Sequence, residues 1–68
     1  MRDRKTYSAE VTENLPGTNY RVRMDDGKEL IAHLSGRMYL NKINVTIGDK
    51  VEIVLAPDGS IGRIVRRL

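Results

Sequence analysis

The stretch Leu30-Ile31-Ala32-His33-Leu34-Ser35-Gly36-Arg37-Met38-Tyr39-Leu40-Asn41-Lys42-Ile43 decides the fold. Its first part alternates, with Leu30, Ala32 and Leu34 on one side and Ile31, His33 and Ser35 on the other. That period of two is the pattern of a half-buried strand. After Ser35 the alternation stops. Ser35 is a suitable helix N-cap, and Tyr39 and Ile43, four apart, share a face of a helical turn. Residues 37–42 are therefore expected to form a short helix or 3₁₀ turn, followed by an extended Asn44-Val45-Thr46-Ile47.

Working outward, strand patterns lie on both sides. Upstream, Tyr7, Ala9 and Val11 alternate with Ser8, Glu10 and Thr12. Leu15-Pro16-Gly17-Thr18-Asn19 reads as a turn, because Pro presets φ and Gly accepts positive φ. Tyr20, Val22 and Met24 follow, with Arg21 and Arg23 on the opposite face, and Asp26-Gly27 closes a hairpin. Downstream, Gly48-Asp49 leads into Val51, Ile53 and Leu55, Ala56-Pro57-Asp58-Gly59-Ser60 turns the chain, and Ile61 to Arg67 is the last run. Three strands, a helical insert and two strands give an all-β class, a five-stranded OB-fold Greek-key barrel with a short helical insert between strands three and four. An SH3-like barrel would carry its helical turn between strands four and five.

Composition narrows the function classes. With 68 residues and no Cys, residues 1–68 form one domain without disulfides or thiolate metal sites. A chain this small buries only ~60% of its unfolded surface, so a sheet that closes on itself is the remaining route to stability. No apolar run reaches the ~20 residues of a membrane span, and none of signal-peptide length follows the charged start Met1-Arg2-Asp3-Arg4-Lys5. A cytoplasmic chain without a membrane role, with residues 1–5 disordered, is the expectation.

The single His33 has no Ser placed to form a catalytic pair, and Asp25-Asp26 fits a hairpin turn better than a metal or acid–base pair. No phosphate-binding loop or dinucleotide fingerprint is present. We therefore expect neither catalysis nor a cofactor. Twelve Lys and Arg against nine Asp and Glu give a net charge of +3. The basic residues cluster at the N-terminus (Arg2, Arg4, Lys5), on the second strand (Arg21, Arg23) and at the C-terminus (Arg63, Arg66, Arg67), and the insert adds Arg37 and Lys42. A cationic track with interleaved planar groups binds nucleic acid, and the same charges also serve simply to solvate a surface. Tyr20 reads as core, Tyr39 as an exposed ring, Tyr7 as either, and Met38 as a plug at the barrel end. His33 fits both a strand hydrogen bond and an RNA contact.

Four segments in register, Leu15-Pro16-Gly17-Thr18-Asn19-Tyr20-Arg21-Val22, Ala32-His33-Leu34-Ser35-Gly36-Arg37-Met38, Gly48-Asp49-Lys50-Val51 and Gly62-Arg63-Ile64-Val65, resemble bacterial translation initiation factor one. The likeness runs from about Tyr7 to Arg67. It implies a single OB-fold that occupies the A-site decoding region of the small ribosomal subunit. There it would contact rRNA and an adjacent ribosomal protein, block premature tRNA binding, assist the other initiation factors, and be a monomer off the ribosome. By that resemblance Ser35 to Met38 and the residues just after them face RNA. Arg37, Asn41 and Lys42 would bond the rRNA backbone, Tyr39 would lie against a base, and Arg66 and Arg67 would add phosphate contacts. His33 and Arg23 would flank them.

The insert departs from the family pattern. Tyr39, Leu40 and Asn44 stand where basic residues are usual, Lys42 stands where an aromatic is common, and the Pro57-Asp58-Gly59-Ser60 turn is short. Two other readings compete. A cold-shock-like single-stranded RNA chaperone would present several exposed aromatics, and an SH3-like interaction barrel would present an aromatic-lined groove. The chain has three Tyr, no Phe and no Trp.

Overall fold

A computed structural model describes residues 5–68. The strands are β1 (Tyr7–Asn14), β2 (Asn19–Met24), β3 (Glu29–Leu34), β4 (Lys50–Leu55) and β5 (Ile61–Arg67). One short helix, α1 (Gly36–Leu40), lies between β3 and β4. The sheet closes in the order β1-β2-β3-β5-β4. All neighbours are antiparallel except β3 and β5, which run parallel from Ile31 opposite Ile61 to Leu34 opposite Ile64. This is the OB-fold layout, and closure removes the exposed strand edges of an open sheet.

The alternating apolar residues form the core. Ala9, Val11, Tyr20, Val22, Leu30, Ala32, Val51, Ile53 and Ile64 are buried, and Met38 enters the same cluster from α1. Each fully buried Ile or Val contributes about 1.5–3 kcal/mol, which so small a core needs. Gly62 is what lets β5 approach: a Cβ there would lie 3.1 Å from Leu30 Cδ1 and 3.3 Å from Ile53 Cδ1. Tyr20 is a core residue, and Tyr7 is half-buried against the core. Residues 1–4, part of the terminus expected to be disordered, lie outside the described residues. Lys5 is described, with Nζ 5.7 Å from the centre of the Tyr7 ring.

Two bulges break the plain alternation. On β1 the register shifts between Val11 and Glu13, and the Thr12 hydroxyl donates to the Arg21 carbonyl at 3.2 Å. On the β4–β5 ladder, Glu52 pairs with Arg66 and Ile53 with Ile64, so Val65 is the extra residue. Strict alternation from Ile64 would turn Arg66 inward. The bulge sends it outward instead.

The insert differs from expectation at its ends. The helix occupies Gly36–Leu40 rather than 37–42, because Ser35 begins the turn and Lys42 leaves helical space. Residues 43–46 form no strand. They are held by a local turn, in which the Thr46 N–H donates to Asp49 Oδ2 at 2.9 Å and the Asp49 N–H donates to the Thr46 carbonyl at 3.0 Å. Val45 is anchored in the core. Among the described residues no helix is long and apolar enough to cross a membrane.

Candidate nucleic-acid interface

The insert is built by its caps. The Ser35 side chain accepts from the Met38 N–H at 3.2 Å, which satisfies one free donor of the first turn. At the other end the Lys42 N–H donates to the Tyr39 carbonyl at 3.1 Å and the Ile43 N–H to the Met38 carbonyl at 3.0 Å. That pair of bonds is a Schellman closure, whose left-handed residue is usually Gly. Here it is Lys42, with φ 58°, the only non-glycine residue of positive φ among those described. A side chain in that conformation costs about 1 kcal/mol. Met38 is buried beneath the turn, while Arg37, Tyr39, Leu40, Asn41 and Lys42 all face solvent.

The proposed contact residues fall into three groups. Arg37 and Lys42 make no ion pair or side-chain hydrogen bond among the described residues, and Asn41 and Tyr39 are exposed beside them. Arg23 and Arg66 are paired instead: Arg23 Nη2 lies 3.6 Å from Glu10 Oε1, and Arg66 Nε lies 3.3 Å from Glu52 Oε1. Arg23 also sits opposite Glu29, at the far end of β3 from the insert. Along that strand it is displaced from His33 by about 13 Å. Arg67 forms a third case, because its Nη1 donates to the Asn44 carbonyl at 2.9 Å. Adjacent in sequence, Arg66 and Arg67 therefore do not share a patch. One lies on the outer wall, and the other ties β5 to the insert.

Beside α1 is a shallow cleft lined by Leu34, Tyr39, Leu40, Lys42, Ile43 and Asn44. Tyr39 and Leu40 are 64% and 76% exposed, so the cleft has an apolar rim as well as a cation. An aromatic ring beside a cation suits a base and its phosphate. Tyr39 and Ile43 line this cleft together although the helix ends before Ile43, because the Schellman turn folds the chain back.

His33 is half-buried on β3, opposite Asn19 on β2 and Arg63 on β5. Sequence pattern alone does not mark Arg63 as a contact residue. Only the parallel β3–β5 seam puts it beside His33, 30 positions away, and the one available signal is its outward parity next to Ile64. Among the described residues no three His, Cys, Asp or Glu come together to hold a metal. At Asp58 the carboxyl is held below its ordinary 3.8, first by the hydrogen bond from the Ser60 N–H and next by the Ser60 hydroxyl. It stabilises the β4–β5 turn and has no chemical partner.

The comparisons agree with this geometry. The barrel superimposes on the solution structure of a translation initiation factor one from the Wolbachia endosymbiont strain TRS of Brugia malayi with TM-score 0.77 and 36% identity, covering 94% of this chain and 77% of that one. It also matches part of YjeQ from Thermotoga maritima, TM-score 0.77 at 23% identity, covering 94% of this chain but 23% of that one, which is a likeness of fold. A family model described as translation initiation factor 1A / IF-1 matches residues 1–68. With a five-stranded closed barrel, a capped insert between β3 and β4 and a match along its whole length, the chain belongs to the translation initiation factor 1A / IF-1 family.

Proposed function

We propose that this initiation factor binds the A-site decoding region of the small ribosomal subunit. There it contacts rRNA and an adjacent ribosomal protein, blocks premature tRNA binding and assists the other initiation factors. It works in the cytoplasm as a monomer off the ribosome, without a cofactor, and no bond is made or broken. Its effect is a shift between ribosomal states no larger than its differential affinity for them.

The observation that carries this reading is Lys42. A lysine occupies a left-handed position that glycine would fill without strain, and it points from the insert with no intramolecular partner among the described residues. Strain kept at an exposed position fits a side chain retained for binding. Arg37, Asn41 and Lys42 bond the rRNA backbone, with Tyr39 stacked on a base. His33 flanks them on the barrel face. Arg23 and Arg66 contribute only by exchanging their carboxylates for phosphates, and Arg67 contributes mainly by holding Asn44.

The test is binding of labelled protein to purified bacterial small subunits across a salt series, with poly-uridine as competitor. Saturation at one site per subunit, resisted by the competitor, is expected. Tyr39→Ala should weaken that binding by about 1–3 kcal/mol. Binding that poly-uridine abolishes would instead indicate a general single-strand chaperone. The single exposed tyrosine ring argues against that role.

A further inference from the structure

The outer side of the β3–β5 seam and the adjoining end of β4 is unlike the rest of the barrel, the Glu52–Arg66 ion pair lying at the other end of β4. Outward positions on β1 and β2 carry the ion pairs Glu13–Arg21 and Glu10–Arg23. On the β3–β5 seam the cross-strand pairs are Ile31 opposite Ile61 and His33 opposite Arg63, and Arg63 in turn faces Val54. Ile61 is 46% exposed at a position where alternation calls for a polar residue. Together with Leu55, Ala56 and Pro57, the residues His33, Val54, Ile61 and Arg63 line an open groove of about 540 Å³. That volume falls in the range of pockets that seat a ligand-sized group.

The lining contains a guanidinium and an imidazole but no carboxylate. Neither His33 nor Arg63 has an ion pair or side-chain hydrogen bond among the described residues. The nearby Asp58 is engaged with Ser60 at 3.0 and 2.8 Å. No Phe, Tyr or Trp lines the groove, its one ring is the half-buried His33 imidazole, and five of its seven lining residues are aliphatic or proline, so apolar packing outweighs base stacking there. Aliphatic walls beside a free Arg suit an aliphatic side chain followed by a carboxylate. Barrel closure leaves no strand edge for an added strand, so recognition must run through side chains.

We infer that this groove docks an acidic, aliphatic segment of a partner protein, on a surface apart from the insert that meets the proposed RNA face only at His33. Leu or Ile side chains of the segment pack on Val54, Pro57 and Ile61, and its carboxylate pairs with Arg63.

Amide chemical shifts of the full chain, titrated with a synthetic peptide of alternating leucine and aspartate, test this. A leucine–lysine peptide and a uridine octamer serve as parallel probes. The aspartate peptide should saturate, with the shifts centred on Ile31, His33, Val54, Ile61 and Arg63. Arg63→Glu should weaken it about fivefold, and Ile61→Thr, which keeps a β-branched strand residue, about tenfold. Thermal melting of both variants should match the parent, and small-subunit binding of Ile61→Thr should match it as well, which separates this proposal from the RNA reading. Shifts centred on Arg37 and Lys42, equal saturation by the lysine peptide, or the uridine octamer taking the groove in place of the aspartate peptide would each overturn it.

Discussion

On the β1–β2 wall, Arg21 lies 3.0 Å from Glu13 and Arg23 lies 3.6 Å from Glu10, each across one strand pair. On the insert, Arg37 and Lys42 meet no carboxylate among the described residues. Each region carries two cations, yet those of the wall are matched by Glu10 and Glu13 and engaged locally, while those of the insert are available. A count of Lys and Arg therefore says little about where a polyanion binds. The useful quantity is the cation left over after cross-strand pairing.

The sharpest way to break this contrast is to remove cations from each region in turn. Replacing Arg37 and Lys42 together with Ala should weaken small-subunit binding by about 3 kcal/mol, since charge-assisted hydrogen bonds contribute about 1.5–3 kcal/mol each. The slope of log affinity against log salt should flatten by about 0.7–0.9 per lost phosphate contact. Replacing Arg21 and Arg23 with Ala should leave affinity within about twofold and cost no more than about 1 kcal/mol of stability per pair. Equal losses in the two double variants would defeat the comparison.

Smaller changes sharpen it. Lys42→Gly should raise folding stability by about 0.5–1 kcal/mol, because Gly accepts the left-handed conformation, while binding weakens. Urea unfolding and subunit binding, measured on the same variant, should thus move in opposite directions. A loss in both would mean that Lys42 is there for packing. Arg67→Met separates positioning from phosphate contact. It should release the Asn44 carbonyl and speed amide exchange over residues 43–46 while leaving the salt slope unchanged. A slope reduced by a full contact would place Arg67 on RNA.

The smallest effect is the acid response of the β4–β5 turn, which lies on neither region. Asp58 is more acidic folded than unfolded, so its stabilising contribution is present above pH 3.8 and is lost as pH falls through its lower folded value. In Asp58→Asn, exchange protection at the Ser60 amide should lose that acid dependence.

Much of the barrel was legible beforehand because period-two alternation reports burial directly. Tyr20, Val22 and Met24 are inward, Met38 is buried and Tyr39 is exposed, as their patterns imply. The bulge at Val65 was not legible, since one extra residue leaves no mark on composition, and its effect on Arg66 appears only when Glu52 is opposite. The insert's exposed residues were legible as a break in pattern. The exact end of the helix was not, because a Schellman closure with Lys rather than Gly removes the usual stop signal.

By itself the sequence determined the number and order of strands, the place of the insert and the inward faces, because these follow from local alternation and turn chemistry. Tertiary structure alone decided which cations remain unpaired, because pairing depends on register between strands distant in the chain. It also decided that Arg63 stands beside His33 on the seam and that Arg67 reaches Asn44. Those contacts exist only once β5 has closed the barrel against β3 and β4.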